Sequence, residues 1–131
     1  MPNLKYSGSK GVVQSTGDGQ FHISGMGITH DVDTIANVDA AKSTPGHGVT
    51  VLTTVSGGAA LKVTVQNPGN VADAAGQQKF VILKGVANVG SQVQLVTEAD
   101  AAITANLTAA DDYALLVWTG TTWVSVAEIT S

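Results

Sequence analysis

The side chains able to do chemistry in this chain are few: three histidines, ten carboxylates and six lysines, with no cysteine and no arginine. The densest set of metal-ligand types is His30-Asp31-Val32-Asp33, with His22 upstream. A metal site needs such donors aimed at one point, and only folding can bring His22 to Asp31 and Asp33. Carboxylates gathered in a short stretch are also what turns are made of. No metal is expected. Asp111-Asp112 is a second candidate, since paired carboxyls perform general acid–base work when they converge on one bond. Adjacent residues of a strand point to opposite faces, so this pair reads as a turn leading into Tyr113. Glu98 and Asp100 sit at a strand end in the same way. No serine lies in a Gly-x-Ser-x-Gly elbow. Gly17-Asp18-Gly19 and Gly46-His47-Gly48 are too short for a phosphate loop. The residues predict neither an enzyme nor a bound cofactor.

The elements that would carry these side chains are strands. The clearest is a hairpin, Tyr113–Glu128, in which two β-rich runs flank Thr119-Gly120-Thr121-Thr122. Gly120 supplies the positive φ that a tight turn requires. With Gly120 and Thr121 central, Trp118 faces Trp123, Val117 faces Val124 and Leu115 faces Val126. That register predicts a core face of Leu115, Val117, Val124 and Val126, and a second face with Leu116, Trp118, Trp123 and Ser125. Opposed indoles stabilise a hairpin by about 0.5–1.5 kcal/mol beyond area burial. A second sheet of the same chain, a neighbouring subunit or a sugar ring would each account for them.

Upstream, Leu61, Val63 and Val65 alternate with Lys62, Thr64 and Gln66, the pattern of a half-buried strand. Phe80-Val81-Ile82-Leu83 is apolar at every position and should be covered on both faces. Gly48–Val55 and Gln92–Thr97 are further strands, and Ala36–Lys42 reads as one helical turn. Residues 1–20 are small and polar, with Val12–Thr16 and Gln20–Ile23 able to pair across Gly17-Asp18-Gly19. Ser43-Thr44-Pro45-Gly46-His47-Gly48 is the strongest punctuation. The division that follows is an N-terminal anchoring arm, 1–45, and a β domain, 46–131. Six or seven short strands from Gly48 onward give an all-β chain, a compact β-sandwich or jelly-roll-like domain.

Only 12% of residues are charged and 5% aromatic, and the net charge is −4. All the basic residues are lysines, which with the acidic balance argues against nucleic acid. No run is long and apolar enough for a signal peptide or a membrane span. Synthesis in the cytoplasm is the expectation. So little charge on a small chain leaves neutral surface, which an assembled subunit tolerates better than a free monomer.

Three stretches carry a family resemblance: Phe80-Val81-Ile82-Leu83-Lys84-Gly85, the Val93-Gln94-Leu95 strand, and the ending Leu115–Val126 with its Trp123-Val124-Ser125-Val126. Together Lys79–Val126 resembles small bacteriophage structural proteins, namely capsid decoration (cement) proteins, head fibres and tail-fibre modules. Tyr6-Ser7-Gly8-Ser9-Lys10-Gly11 is similar in style to arms that grip a capsid lattice. The resemblance implies a homotrimer on the virion exterior, bound to the major capsid protein at capsomer junctions, without catalytic residues. Leu4, Tyr6, Val12 and Phe21 are then the expected capsid contacts, and Trp118 and Trp123 the subunit contacts. The rival within the same resemblance is a head- or tail-fibre tip whose tryptophans stack on host-surface carbohydrate.

Overall fold

A computed structural model describes the strand backbones of residues 3–7 and 11–16 and, with side chains, residues 32–57, 60–69 and 74–131. In chain order the strands are β1 (Asn3–Ser7), β2 (Gly11–Thr16), β3 (Val32–Ile35), β4 (Lys42–Thr44), β5 (Gly48–Leu52), β6 (Ala60–Val65), β7 (Gln78–Leu83), β8 (Gln92–Val96), β9 (Tyr113–Trp118) and β10 (Trp123–Ile129). No helix occurs among the described residues; where Ala36–Lys42 predicted a helical turn, Val38 makes a β-bridge and Lys42 opens β4. The chain is all-β.

β1 and β2 pair antiparallel. The partner of β2 described here is therefore β1, whereas the expected partner Gln20–Ile23 lies outside the described residues. From β3 onward the strands form two sheets, β10-β9-β7-β5-β3 and β4-β6-β8. Successive strands from β3 to β8 alternate between the sheets, and within each sheet β3, β5, β7 and β4, β6, β8 run parallel. Between the sheets, Val38, Val55 and Val86 form a third parallel row of bridges. The chain thus winds as three stacked coils, a short solenoid whose two main sides face each other as a sandwich. These connections differ from the antiparallel ones of a jelly roll. They also move the expected boundary at residue 45: β3 and β4 are the first coil of the β unit, not part of an arm.

Each coil contributes inward side chains to one core: Val38 from the first, Leu52, Val55, Val63 and Val65 from the second, and Val81, Leu83, Val93 and Leu95 from the third, all fully buried. At the last coil the stack is sealed by antiparallel pieces. Ala102 and Leu107 bridge to β8, and the β9–β10 hairpin adds to β7. Gly46 lies where the β4–β5 corner meets the end of β6. A Cβ there would sit 2.3 Å from the Gln66 carbonyl oxygen, so only glycine fits.

The hairpin register at Trp118–Trp123 and Val117–Val124 is the predicted one, and Gly120 has φ 102°. Beyond Ser125 a bulge shifts it, so Leu115 pairs with Ala127 instead of Val126. The faces are the reverse of the expectation. Ala114, Leu116, Trp118 and Trp123 enter the core, while Leu115 and Val117 lie half-buried outside and Val124 is 38% exposed. Both faces of this hairpin are apolar, so period-2 alternation has no contrast with which to choose between them.

Candidate functional site

Trp118 and Trp123 are 2% and 3% exposed, their rings 5.4 Å apart at 64° in an edge-on contact. The Trp123 indole Nε1 donates to the Gln66 carbonyl at 3.0 Å, pinning the hairpin to the end of β6. This corrects the assignment of the pair to a subunit interface or a sugar platform: the chain's own second sheet covers both rings. Of the expected capsid contacts, Leu4 and Tyr6 fall in β1 and Val12 in β2, but their side chains, like the whole of Phe21, lie outside the described residues. So do His22, His30 and Asp31.

The only fully buried lysine among the described residues is Lys79, on β7. It sits two residues before Val81, on the inward side of the strand. Its ammonium donates to the His47 carbonyl at 2.9 Å and to Thr50 Oγ1 at 2.5 Å. The hydroxyls of Thr50 and Thr44 are hydrogen-bonded, and Thr44 Oγ1 donates to Asp33 Oδ2 at 3.3 Å. Each hydroxyl has a single hydrogen, which fixes the direction of the string. Thr44 gives its hydrogen to Asp33 and so accepts from Thr50, which in turn accepts from Lys79. The result is an ion pair relayed by two hydroxyls, drawing on β3, β4, β5 and β7. Burial lowers the Lys79 pKa from 10.5 to about 8, with the charge of Asp33 opposing the shift. A lysine so perturbed resembles a nucleophile in its acidity. Sealed from solvent, it has no route to a substrate, and its role is to tie the coils together. The sequence signal was available: Lys79 shares the alternation of Val81 and Leu83.

Asp111 and Asp112 diverge as adjacent residues must. Asp111 (φ 68°) is exposed and paired with Lys84. Asp112 is buried and accepts from the Thr108 and Ala109 amides at 2.7 and 2.9 Å and from the Ser131 hydroxyl at 2.7 Å. Burial alone would raise its pKa, but the hydrogen bonds from Thr108, Ser131 and Ala109 outweigh it and hold the carboxyl below its usual value. Glu98 receives the amide and side chain of Asn67, and Asp100 pairs with Lys62 at 2.7 Å. With Thr97, Ala99, Thr121 and Thr122, Asn67 and Glu98 line an open cleft of about 390 Å³ that contains one acid and no aromatic ring. Among the described residues no three metal-ligating side chains gather.

The remaining feature is a surface. The register aligns Val32, Val49, Phe80, Leu115 and Ala127 in one row across the outer face of the five-stranded sheet. Thr34, Val51, Ile82, Tyr113 and Ile129 form the next row, and Gln78, Val117 and Val124 a third. None carries a charge. Val32 is 62% and Ile129 51% exposed, and the inner members of the rows are half-buried. Phe80 and Tyr113 lie 5.5 Å apart on this face. Among the described residues, the expectation that Phe80–Leu83 is covered on both faces is met only for Val81 and Leu83. No family model, curated protein or solved structure matches the chain.

Proposed function

We propose that this protein is a virion structural protein that decorates the outer surface of a phage capsid, as a trimer at capsomer junctions. The observation that carries the reading is the uncharged outer face of the five-stranded sheet. It is a surface for association, on a chain whose four described lysines are each buried or ion-paired. Lys79 and Asp112 are enclosed, and Asp39–Lys42, Lys62–Asp100 and Lys84–Asp111 are ion pairs. The capsid location rests on the likeness of Lys79–Val126 to decoration proteins. In this role the protein does no covalent chemistry. Each copy adds buried area across a capsomer junction, and repetition over the lattice multiplies weak attachments into firm coating.

Antibody raised against the full chain tests the location on intact particles by electron microscopy. Label spread over the capsid shell is the expected result. Label confined to a fibre tip would favour the carbohydrate-binding rival, now without its tryptophan platform, and unlabelled particles would remove the virion reading.

A further inference from the structure

The segment from Trp123 to Ser131 is fastened at both ends and bare between them. At its start the Trp123 ring is buried, and its Nε1 donates to the Gln66 carbonyl at 3.0 Å. Past the bulge that follows Ser125, β10 lies along β9 with its side chains in solvent: Val126 is 56% and Ile129 51% exposed. A stretch that buries so little apolar surface gains little from the hydrophobic effect. Its end is nevertheless fixed. The Ser131 amide and hydroxyl donate to the Asp112 carboxylate at 3.1 and 2.7 Å, and the Thr108 hydroxyl donates to the Ser131 carbonyl. The amide, hydroxyl and carbonyl of this exposed residue are thus all taken up by one turn. That turn belongs to the rigid part of the fold. The Asp111 amide donates to the Leu83 carbonyl at 2.7 Å and the Leu83 amide to the Asp112 carbonyl at 2.8 Å, which ties the turn to β7. We propose that residues 127–131 form a strap that lifts and closes as one unit, hinged at the bulge around Val126 and locked by Ser131 on Asp112 and Thr108. Closed, it covers the outer edge of β9; lifted, it leaves the Tyr113–Leu115 stretch as the margin of the five-stranded sheet. The lock is polar, so water competes for each of its bonds and none is worth much singly. The indole end rests on buried area and stays in place. Local opening is drawn from such parts of a fold, where few apolar contacts are buried and the backbone bonds are exposed. The strap is a guard over a sheet edge that, once bare, can pair with other strands.

The test is native-state hydrogen exchange followed by NMR on the full chain, near neutral pH, in water and in low urea. In wild type the amides of residues 127–131 should exchange faster than those of β5 to β8. Urea should leave their rates unchanged, the mark of an opening that exposes little surface. Ser131→Ala removes one bond to a charged group and should speed these amides about tenfold, still without urea dependence. Ser131→Asp sets a second carboxylate against Asp112 and should leave residues 127–131 unprotected, while β5 to β8 remain protected and the emission of the buried Trp118 and Trp123 stays blue-shifted. Wild-type strap amides that exchange no faster than the core, and with the same urea dependence, overturn the proposal, because the segment then opens only when the whole fold does. A Ser131→Asp chain whose strap amides keep their wild-type protection overturns it as well, since the clasp is then not the lock. So does one that loses protection throughout, since the strap is then no separate unit.

Discussion

Lys79→Met separates what the buried ammonium does from what its stem does. Methionine fills a similar volume, so packing changes little. The displacement of the Lys79 pKa from 10.5 to about 8 sets a ceiling of about 3 kcal/mol on the cost of keeping the group charged in the fold. The hydrogen bonds to the His47 carbonyl and Thr50 Oγ1 favour the charged form and bring the net figure below that ceiling, to roughly 1.5 kcal/mol. The folded pKa is the lower one, so between about pH 8 and 10.5 the unfolded chain holds more protons than the folded one. Stability contributed by this site therefore rises with pH across that window and is at its lowest below it. The variant also leaves Thr50 and the His47 carbonyl without a donor, a pH-independent cost of about 1–3 kcal/mol. The assay is urea unfolding of both proteins from pH 7 to pH 11, read as the difference between them, so that the other lysines cancel. Wild type should gain about 1.5 kcal/mol on the variant over the window, equivalent to about 3–6 °C in Tm. Curves that stay parallel refute the reasoning, because the ammonium would then be no less solvated folded than unfolded.

Two further substitutions test the packing. Gly46→Ala drives a methyl into the Gln66 carbonyl that also receives the Trp123 indole. It should cost about 1–3 kcal/mol and shift Trp emission to the red, measured by chemical denaturation and fluorescence. Asp112→Asn exchanges an acceptor of four hydrogen bonds for an amide that repels some of the same donors. A loss of about 1–3 kcal/mol is expected at neutral pH. Because the folded pKa is the depressed one, the carboxylate's contribution is present above its ordinary pKa of 3.8 and disappears as pH falls through the folded value. Acid titrations of the two proteins should accordingly diverge near neutrality and converge at low pH.

What could be read without coordinates was local. Leu61, Val63 and Val65 alternate with polar residues, and Val63 and Val65 are buried as that pattern requires. The Trp118–Trp123 register follows from four turn residues. What escaped depends on residues far apart in sequence. Parallel coils bring Val38, Val55 and Val86 into one row without leaving a local mark. The single-residue bulge after Ser125 is invisible to a period of two. The string from Lys79 to Asp33 joins residues whose separation in the chain hides their contact. The inverted faces of β9 and β10 have a different cause: with Leu115 and Val117 as apolar as Leu116 and Trp118, hydrophobicity alone marks two candidate interiors, and only the fold shows which one the core fills.

The bulge in β10 and the short strands at the other margins also decide what kind of assembly the molecule can enter. A sheet edge that is long and straight recruits further strands without limit, which ends in filaments. Here β3 and β4 have four and three residues, β10 is broken by its bulge, and β8 is occupied by Ala102 and Leu107. Every described edge is a poor template, whereas the broad face is open. Growth by strand addition is discouraged, so whatever this chain meets, it is poorly suited to meet it edge to edge.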